Sequence, residues 1–284
     1  MKLLRYGPPG AERPGMLDAE GKLRDLSALV GEIEPRLLAP ESLSALAAID
    51  PGRLPEVGGQ PRLGVPVSGI GKFIAVGLNY SDHAAEAGMP IPAEPILFSK
   101  AITCICGAND EVVLPAGSVK SDWEVELGVV IGRRAKNVPE ADALAHVAGY
   151  CVVNDVSERE FQLERSGGQW DKGKGFDTFG PIGPWLVTAD EVPDPQALEM
   201  WLEVNGERLQ SGNTRTMIFG VAHLVSYISR CMTLMPGDVI ATGTPPGVGM
   251  GCRPQRFLKP GDTMRLGIAG LGEQRQRVVA GTPG

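Results

Sequence analysis

Asp122-Trp123-Glu124-Val125-Glu126-Leu127-Gly128-Val129-Val130-Ile131 alternates acid with aliphatic at its head and is then apolar to its end. As a strand, its period of two puts Glu124 and Glu126 on one face, with Val125 and Leu127 on the other. The continuous apolar tail is the pattern of a strand covered on both sides. Two carboxylates side by side at the head of a buried strand repel each other, so one takes a proton or a cation sits between them. An edge strand with a solvated Glu pair is the plainer alternative.

Outward from this stretch, Gly149-Tyr150-Cys151-Val152-Val153-Asn154-Asp155 is a second apolar strand closing on Asn-Asp. Read as a site, Glu124, Glu126 and Asp155 form an all-oxygen donor set that suits Mg²⁺, Mn²⁺ or Ca²⁺ better than zinc. Read plainly, Asn-Asp is a turn. Arg159 and Gln162 follow four and seven residues after Asp155, on one helical face or one side of a loop. Lys172 and Lys174 stand among glycines ahead of Phe176, where a lysine is a point cation for an anionic substrate or a solvated loop residue.

Of three histidines, His146 and His223 read as structural. His83 directly follows a strand and lies three residues before Glu86, a spacing that lets the carboxylate orient a base. Thr242-Gly243-Thr244-Pro245-Pro246-Gly247 offers backbone N–H groups and hydroxyls to a carboxylate, and it lacks the Lys-Ser/Thr ending of a P-loop. Cys104-x-Cys106 has no partner pair and reads as thiols, not a zinc site.

Further strand-like runs are Phe73–Gly77, Val112–Leu114, Pro184–Val187, Met200–Val204, Val239–Thr242 and Met264–Ile268, with turns such as Asn205-Gly206 between them. Helices are expected at Glu41–Ile49, Pro139–Val147 and Thr214–Cys231, the last carrying Met217, Val221, Leu224, Val225 and Ile228 on one face. The fold class is therefore α+β and β-rich, a rolled or barrel-like mixed sheet with few helices. Residues 1–65, with two short strands around Glu20-Gly21, read as a small N-terminal α+β unit joined by a proline- and glycine-rich stretch to a catalytic domain of residues 66–284. The 284 residues bear a formal charge of −7 without a basic block, which argues against nucleic acid or an anionic membrane as partner. No apolar run reaches the roughly 20 residues of a membrane span. An N-terminus without a long apolar segment and five cysteines without framework spacing suggest a cytoplasmic protein with reduced thiols.

Taken together, these residues resemble the fumarylacetoacetate hydrolase family from about Lys72 to Gly267. Five segments agree in order: Gly77-Leu78-Asn79-Tyr80 with His83 and Glu86; Pro95–Lys100; Asp122–Gly132; Asn154-Asp155-Val156-Ser157 with Arg159 and Gln162; and Ser211–Thr214 through Pro236–Pro245. The family pattern commonly has Tyr where Trp123 stands and Asp where Glu160 stands. The resemblance implies a β-roll around a divalent metal held by Glu124, Glu126 and Asp155. It makes His83 and Glu86 a water-activating dyad on a segment that acts as a lid in relatives. Lys174, Arg159 and Gln162 would hold substrate oxygens, and Thr244 the carboxylate end. A homodimer, Mg²⁺ or Mn²⁺ and a small oxo-acid substrate are implied as well.

The implied reaction is hydrolytic C–C cleavage of a 2,4-diketo acid. The segment Gln169–Pro181 is similar to that of hydrolases of 2,4-diketo-3-deoxy sugar acids of the fuconate or rhamnonate type, which give pyruvate and a hydroxy acid such as lactate. The same metal site would also serve a ureidoglycolate lyase or an oxo-acid decarboxylase or isomerase. A non-catalytic protein that binds sugar acids or metal is the rival of another class.

Overall fold

The computed structural model describes residues 1–88 and 90–282. One mixed sheet of ten strands runs in the order Leu23–Asp25, Arg13–Leu17, Lys2–Tyr6, Gly180–Thr188, Val147–Asn154, Val125–Ile131, Val239–Ala241, Phe73–Gly77 and Ile96–Lys100. Its tenth strand, Ile105–Gly107, pairs in parallel with Gly180–Thr188. The N-terminal strand Lys2–Tyr6 is hydrogen-bonded directly to Gly180–Thr188, so the first 25 residues extend the same sheet. A second sheet of five strands is ordered Glu207–Asn213, Glu199–Val204, Thr263–Ile268, Gly272–Ala280 and Val112–Leu114. The protein is thus β-rich α+β with few helices, as the strand-and-turn pattern indicates.

The two central strands, Val125–Ile131 and Val147–Asn154, are buried at every residue. They pair antiparallel, with Glu126 opposite Val153 and Val125 opposite Asn154. This register brings the carboxylate pair to the same end of the sheet as Asp155. Apolar side chains fill the space between the sheets, and buried amides tie them together. Gln274 Nε2 donates to Val152 O (2.7 Å), Asn154 Nδ2 to Gln276 Oε1 (3.1 Å), and Val125 N to Gln210 Oε1 (2.9 Å).

Two helix expectations need correction. Residues 140–146 form a 3₁₀ segment, and the long helix begins at Val221, not Thr214. The cause is Asn79. Its side chain exchanges hydrogen bonds with both Phe219 N (2.9 Å) and Phe219 O (3.0 Å), and its carbonyl accepts from Ile218 N. Those groups are thereby held in a non-helical strap, and Gly220 caps the helix that follows. Among the described residues no helix is long and apolar enough to cross a membrane.

Candidate active site

Glu124, Glu126 and Asp155 each place a carboxylate oxygen within 4.8 Å of the others. They are 6%, 1% and 0% exposed, which settles the choice between a solvated pair and a buried one. Around them the chain sets three cations. Lys174 Nζ donates to Glu124 Oε2 (2.8 Å) and to Asp155 Oδ2 (2.7 Å). Arg159 Nη2 lies 2.7 Å from Glu124 Oε1, while its Nε donates to Asp122 Oδ2 (2.8 Å) and its Nη1 to Gln162 Oε1 (2.9 Å). Lys100 Nζ lies 2.6 Å from Asp155 Oδ1 and also meets the carbonyls of Val156 and Lys174.

Local structure explains these positions. Lys100 ends the strand Ile96–Lys100 of the same ten-stranded sheet whose strand Val147–Asn154 leads into Asp155, and its ammonium reaches that carboxylate. Arg159 is the N-cap of a π-helical turn, Glu160–Glu164, and Gln162 is the buried residue within it, which brings the two side chains together. Lys174 closes the short helix Asp171–Lys174 and is buried, whereas Lys172 turns to Ser166 O outside the site.

The charges do not close. Four buried carboxylates, Asp122, Glu124, Glu126 and Asp155, face three buried cations, Lys100, Arg159 and Lys174. The carboxylate without a cationic partner is Glu126, whose side chain accepts only from Gly243 N (2.8 Å) among the described residues. Burial, reinforced by the charges of Asp155 and Glu124, pushes its carboxyl well above the usual range. For Glu124, burial acts the same way but is outweighed by Lys174 and Arg159, which hold it well below that range. Burial alone would lower the Lys174 ammonium, yet Asp155 and Glu124 keep it above its ordinary value.

The donor set fits a divalent ion on its own terms. It is all oxygen and it converges, and with Asp122 counted the buried carboxylates outnumber the buried cations by one. Asp155 Oδ1, fully buried, is met by the Lys100 ammonium at 2.6 Å, so both of its oxygens face a cation.

A cavity of about 230 Å³ opens onto this cluster. His83, Glu86, Glu124, Glu126, Arg159, Gln162, Lys174 and Thr244 all line it, and Asp155 lies beneath, bonded to Lys174. His83 Nδ1 is 3.1 Å from Glu86 Oε2 on the helix Ser81–Ala87. Glu86 is in turn held by Gly247 N, which donates to its two oxygens at 3.0 and 3.2 Å. Gly247 has φ +102°, and a Cβ there would stand 1.9 Å from Leu209 O, so only glycine brings this N–H to the carboxylate. The Thr244 hydroxyl is already engaged, donating to Val125 O (2.9 Å) and accepting from Gln210 Nε2 (2.8 Å). What Thr244 keeps for a ligand is its backbone N–H, which has no acceptor among the described residues. His223 sits elsewhere, against Glu140, and all five cysteines are free thiols.

Reading the sequence alone leaves out Lys100, Asp122 and the Gly247 N–H. Asp122 is the hub of the set, accepting from Arg159, Trp123 N (2.8 Å), Gly249 N (2.6 Å) and Met250 N (3.0 Å). Its signal was its place at the head of the acid-rich strand. Lys100 had one too, as a charged residue ending the apolar run Ile96-Leu97-Phe98.

The family model described as fumarylacetoacetate (FAA) hydrolase C-terminal matches residues 72–279. A protein of Burkholderia cenocepacia (strain HI2424), classed only as a hydrolase, is 68% identical over 278 residues, 98% of each chain. The fumarylacetoacetate hydrolase of Exiguobacterium antarcticum has a TM-score of 0.85 at 34% identity, covering 99% of this chain and all of that one. The maleylpyruvate hydrolase of Sphingobium sp. SYK-6, solved with manganese(II) and pyruvate, has a TM-score of 0.82 at 33% identity, with coverage of 99% and 100%. The chain belongs to the fumarylacetoacetate hydrolase family.

Proposed function

We propose that this protein is a divalent-metal-dependent hydrolase that cleaves the C3–C4 bond of acylpyruvate-type 2,4-diketo acids, releasing pyruvate and a carboxylic acid. The observation that carries this reading is the His83–Glu86 pair facing the same cavity as the three converging carboxylates. A lyase or decarboxylase does not require an oriented base for water, whereas a hydrolase does.

A divalent ion bound by Glu124, Glu126 and Asp155 would supply Lewis-acid chemistry at the carboxylate and 2-oxo oxygens. The chain does the rest. Glu86 holds the His83 imidazole so that it takes a proton from water, whose oxygen adds to the C4 carbonyl. The C3–C4 electron pair then leaves as pyruvate enolate, which takes up a proton to give pyruvate. Lys174, kept cationic by its neighbours, stabilises the negative charge that builds in this step, an effect worth about two to three powers of ten in rate.

Val76, Leu78, Phe98, Leu163, Val248 and Met250 line the cavity and offer no side-chain hydrogen bond to hydroxyls. These walls suit an acyl chain, while Trp170, Arg253 and Gln255 in the same lining leave donors for the hydroxyls of the deoxy sugar acids suggested by Gln169–Pro181. The manganese and pyruvate held by the Sphingobium relative support the same chemistry.

The test is pyruvate release from a panel of acylpyruvates with Mg²⁺ or Mn²⁺, then with EDTA. Release that EDTA abolishes is expected. His83→Ala should lose about 10²–10⁴-fold in kcat while binding Mn²⁺ normally by calorimetry. Near-normal hydrolysis by that variant removes the base role, and no pyruvate from any member of the panel favours a binding protein.

A further inference from the structure

Val125 sits between two of the three converging carboxylates, and its backbone is held by a side chain from the other sheet. The strand Val239–Ala241 pairs with Val125–Ile131 only as far as Gly128. At Val125, side chains do the work of a neighbouring strand. Val125 N donates to Gln210 Oε1 (2.9 Å), and Val125 O accepts from the Thr244 hydroxyl (2.9 Å). Gln210 Nε2 closes the ring by donating to Thr244 Oγ1 (2.8 Å), and it also donates to Pro245 O (2.8 Å). Gln210 is fully buried, so each of these bonds is made away from water and is costly to lose.

An irregularity in its own strand aims Gln210 at the site. Glu207–Asn213 is an edge strand of the five-stranded sheet. Its register with Glu199–Val204 shifts between the pairs Leu202–Gln210 and Glu203–Arg208, which leaves Leu209 as the extra residue of a bulge. Such a bulge re-aims the side chain beside it. The same strand touches the loop after Thr244 twice more. A Cβ on Gly212 would stand 2.4 Å from Pro245 Cβ, and one on Gly247 would stand 1.9 Å from Leu209 O. Leu209–Gly212 is thus the bed on which Thr244–Gly247 lies. That loop carries the free Thr244 N–H and the Gly247 N–H that holds Glu86.

We propose that Gln210 is a positioning residue, which from outside the cavity sets the spacing between the Glu124–Glu126 pair and the backbone N–H of Thr244. It touches neither metal nor substrate. A neutral amide does this without adding charge to a cluster that already has one carboxylate in excess. The part of the proposal that concerns substrate rests on the hydrolase reading, and the part that concerns the metal stands without it.

The experiment titrates the full-length protein with Mn²⁺, and the Mn²⁺-loaded protein with pyruvate, by calorimetry. Gln210→Met keeps the side chain's length and loses all three of its hydrogen bonds. It should weaken both Mn²⁺ and pyruvate by about tenfold or more. Ser229→Ala controls for stability alone. Ser229 is equally buried on the helix Val221–Cys231, where it accepts from Val138 N (2.9 Å) and donates to Ser226 O (2.7 Å). That variant should lower the urea midpoint and leave both affinities unchanged. Thr244→Val, which removes the hydroxyl and keeps the N–H, should share the loss, and the double variant should lose little more than Gln210→Met alone. Parent-like affinities in Gln210→Met, equal losses in Ser229→Ala, or losses that add in the double variant overturn the proposal. If Gln210→Met shows no cooperative urea transition, Thr244→Val decides: weakened Mn²⁺ binding supports the ring and parent-like binding overturns it. A parent protein that releases no pyruvate from acylpyruvates overturns the hydrolase reading instead, and the Mn²⁺ titrations still decide Gln210.

Discussion

Beside the N-terminal strands, Arg5 and Arg62 hold Glu12, Glu32 and Asp110, and every carboxylate has its own guanidinium nitrogen at 2.6–2.9 Å. At the centre of the molecule Lys100, Arg159 and Lys174 hold Asp122, Glu124 and Asp155 just as closely, but Glu126 is left with a single backbone N–H. The first cluster is partly exposed, so water and pairing together satisfy it. The second is sealed in the core, where an unpaired carboxylate persists only by taking a proton or a cation from outside. Both clusters hold one more carboxylate than cations; the partly exposed one leaves its excess to water, and the sealed one cannot.

The largest departure between the two clusters should come from Glu126→Gln. With Mn²⁺ present, loss of a ligand oxygen should cut metal affinity at least about a hundredfold, read by calorimetry. In EDTA the same change should stabilise the protein at pH 8. In the metal-free parent, the raised Glu126 carboxyl keeps a proton that the unfolded chain has released, so stability falls as pH climbs past the usual carboxylate range. The variant should lack that fall. Identical urea midpoints for both proteins at pH 5 and at pH 8 would break the contrast.

Between the extremes stands Glu86, 24% exposed and held by His83 and the Gly247 N–H. A Cβ on Gly251 would lie 2.9 Å from Glu86 Cδ and 3.0 and 3.2 Å from its oxygens. Gly251→Ala should therefore displace the carboxylate and lower kcat by about ten- to a hundredfold, with Mn²⁺ affinity retained. Unchanged kcat would mean that Glu86 does not orient the base.

The smallest effect belongs to the partly exposed cluster beside the N-terminal strands. Burial would raise the Glu12 carboxyl, but the Arg62 hydrogen bond and its other partners hold it down. Its contribution is present above the usual carboxylate range and is lost as pH falls through the lowered value. Glu12→Gln should lose less than about 1 kcal/mol at pH 7 and nothing at pH 2, with kcat unchanged. A drop in activity would tie the N-terminal strands to the site.

Legibility in the sequence followed how directly each residue reports its surroundings. Val125–Ile131 and Val147–Asn154 were readable because fully buried strands are apolar at every position. Gly272–Ala280 was not. Its inward residues Gln274 and Gln276 are polar, and they are tolerated in the core because Val152 O, Gly183 O and Ala108 O accept their amide hydrogens. The same blind spot hid Lys100 and Asp122, whose burial depends on partners far along the chain.

Period-two spacing in the sequence by itself put Glu124 and Glu126 on one face, and the i, i+3 step put His83 beside Glu86. Both are local geometry, dictated by a strand and one helical turn. Only the tertiary structure decided that Asp155 joins them, through the pairing of Glu126 with Val153. It also decided that Lys174 and not Lys172 turns inward, and that Glu126 goes without a cation. These depend on sheet register and on partners tens of residues away, and no run of neighbouring letters encodes such distances.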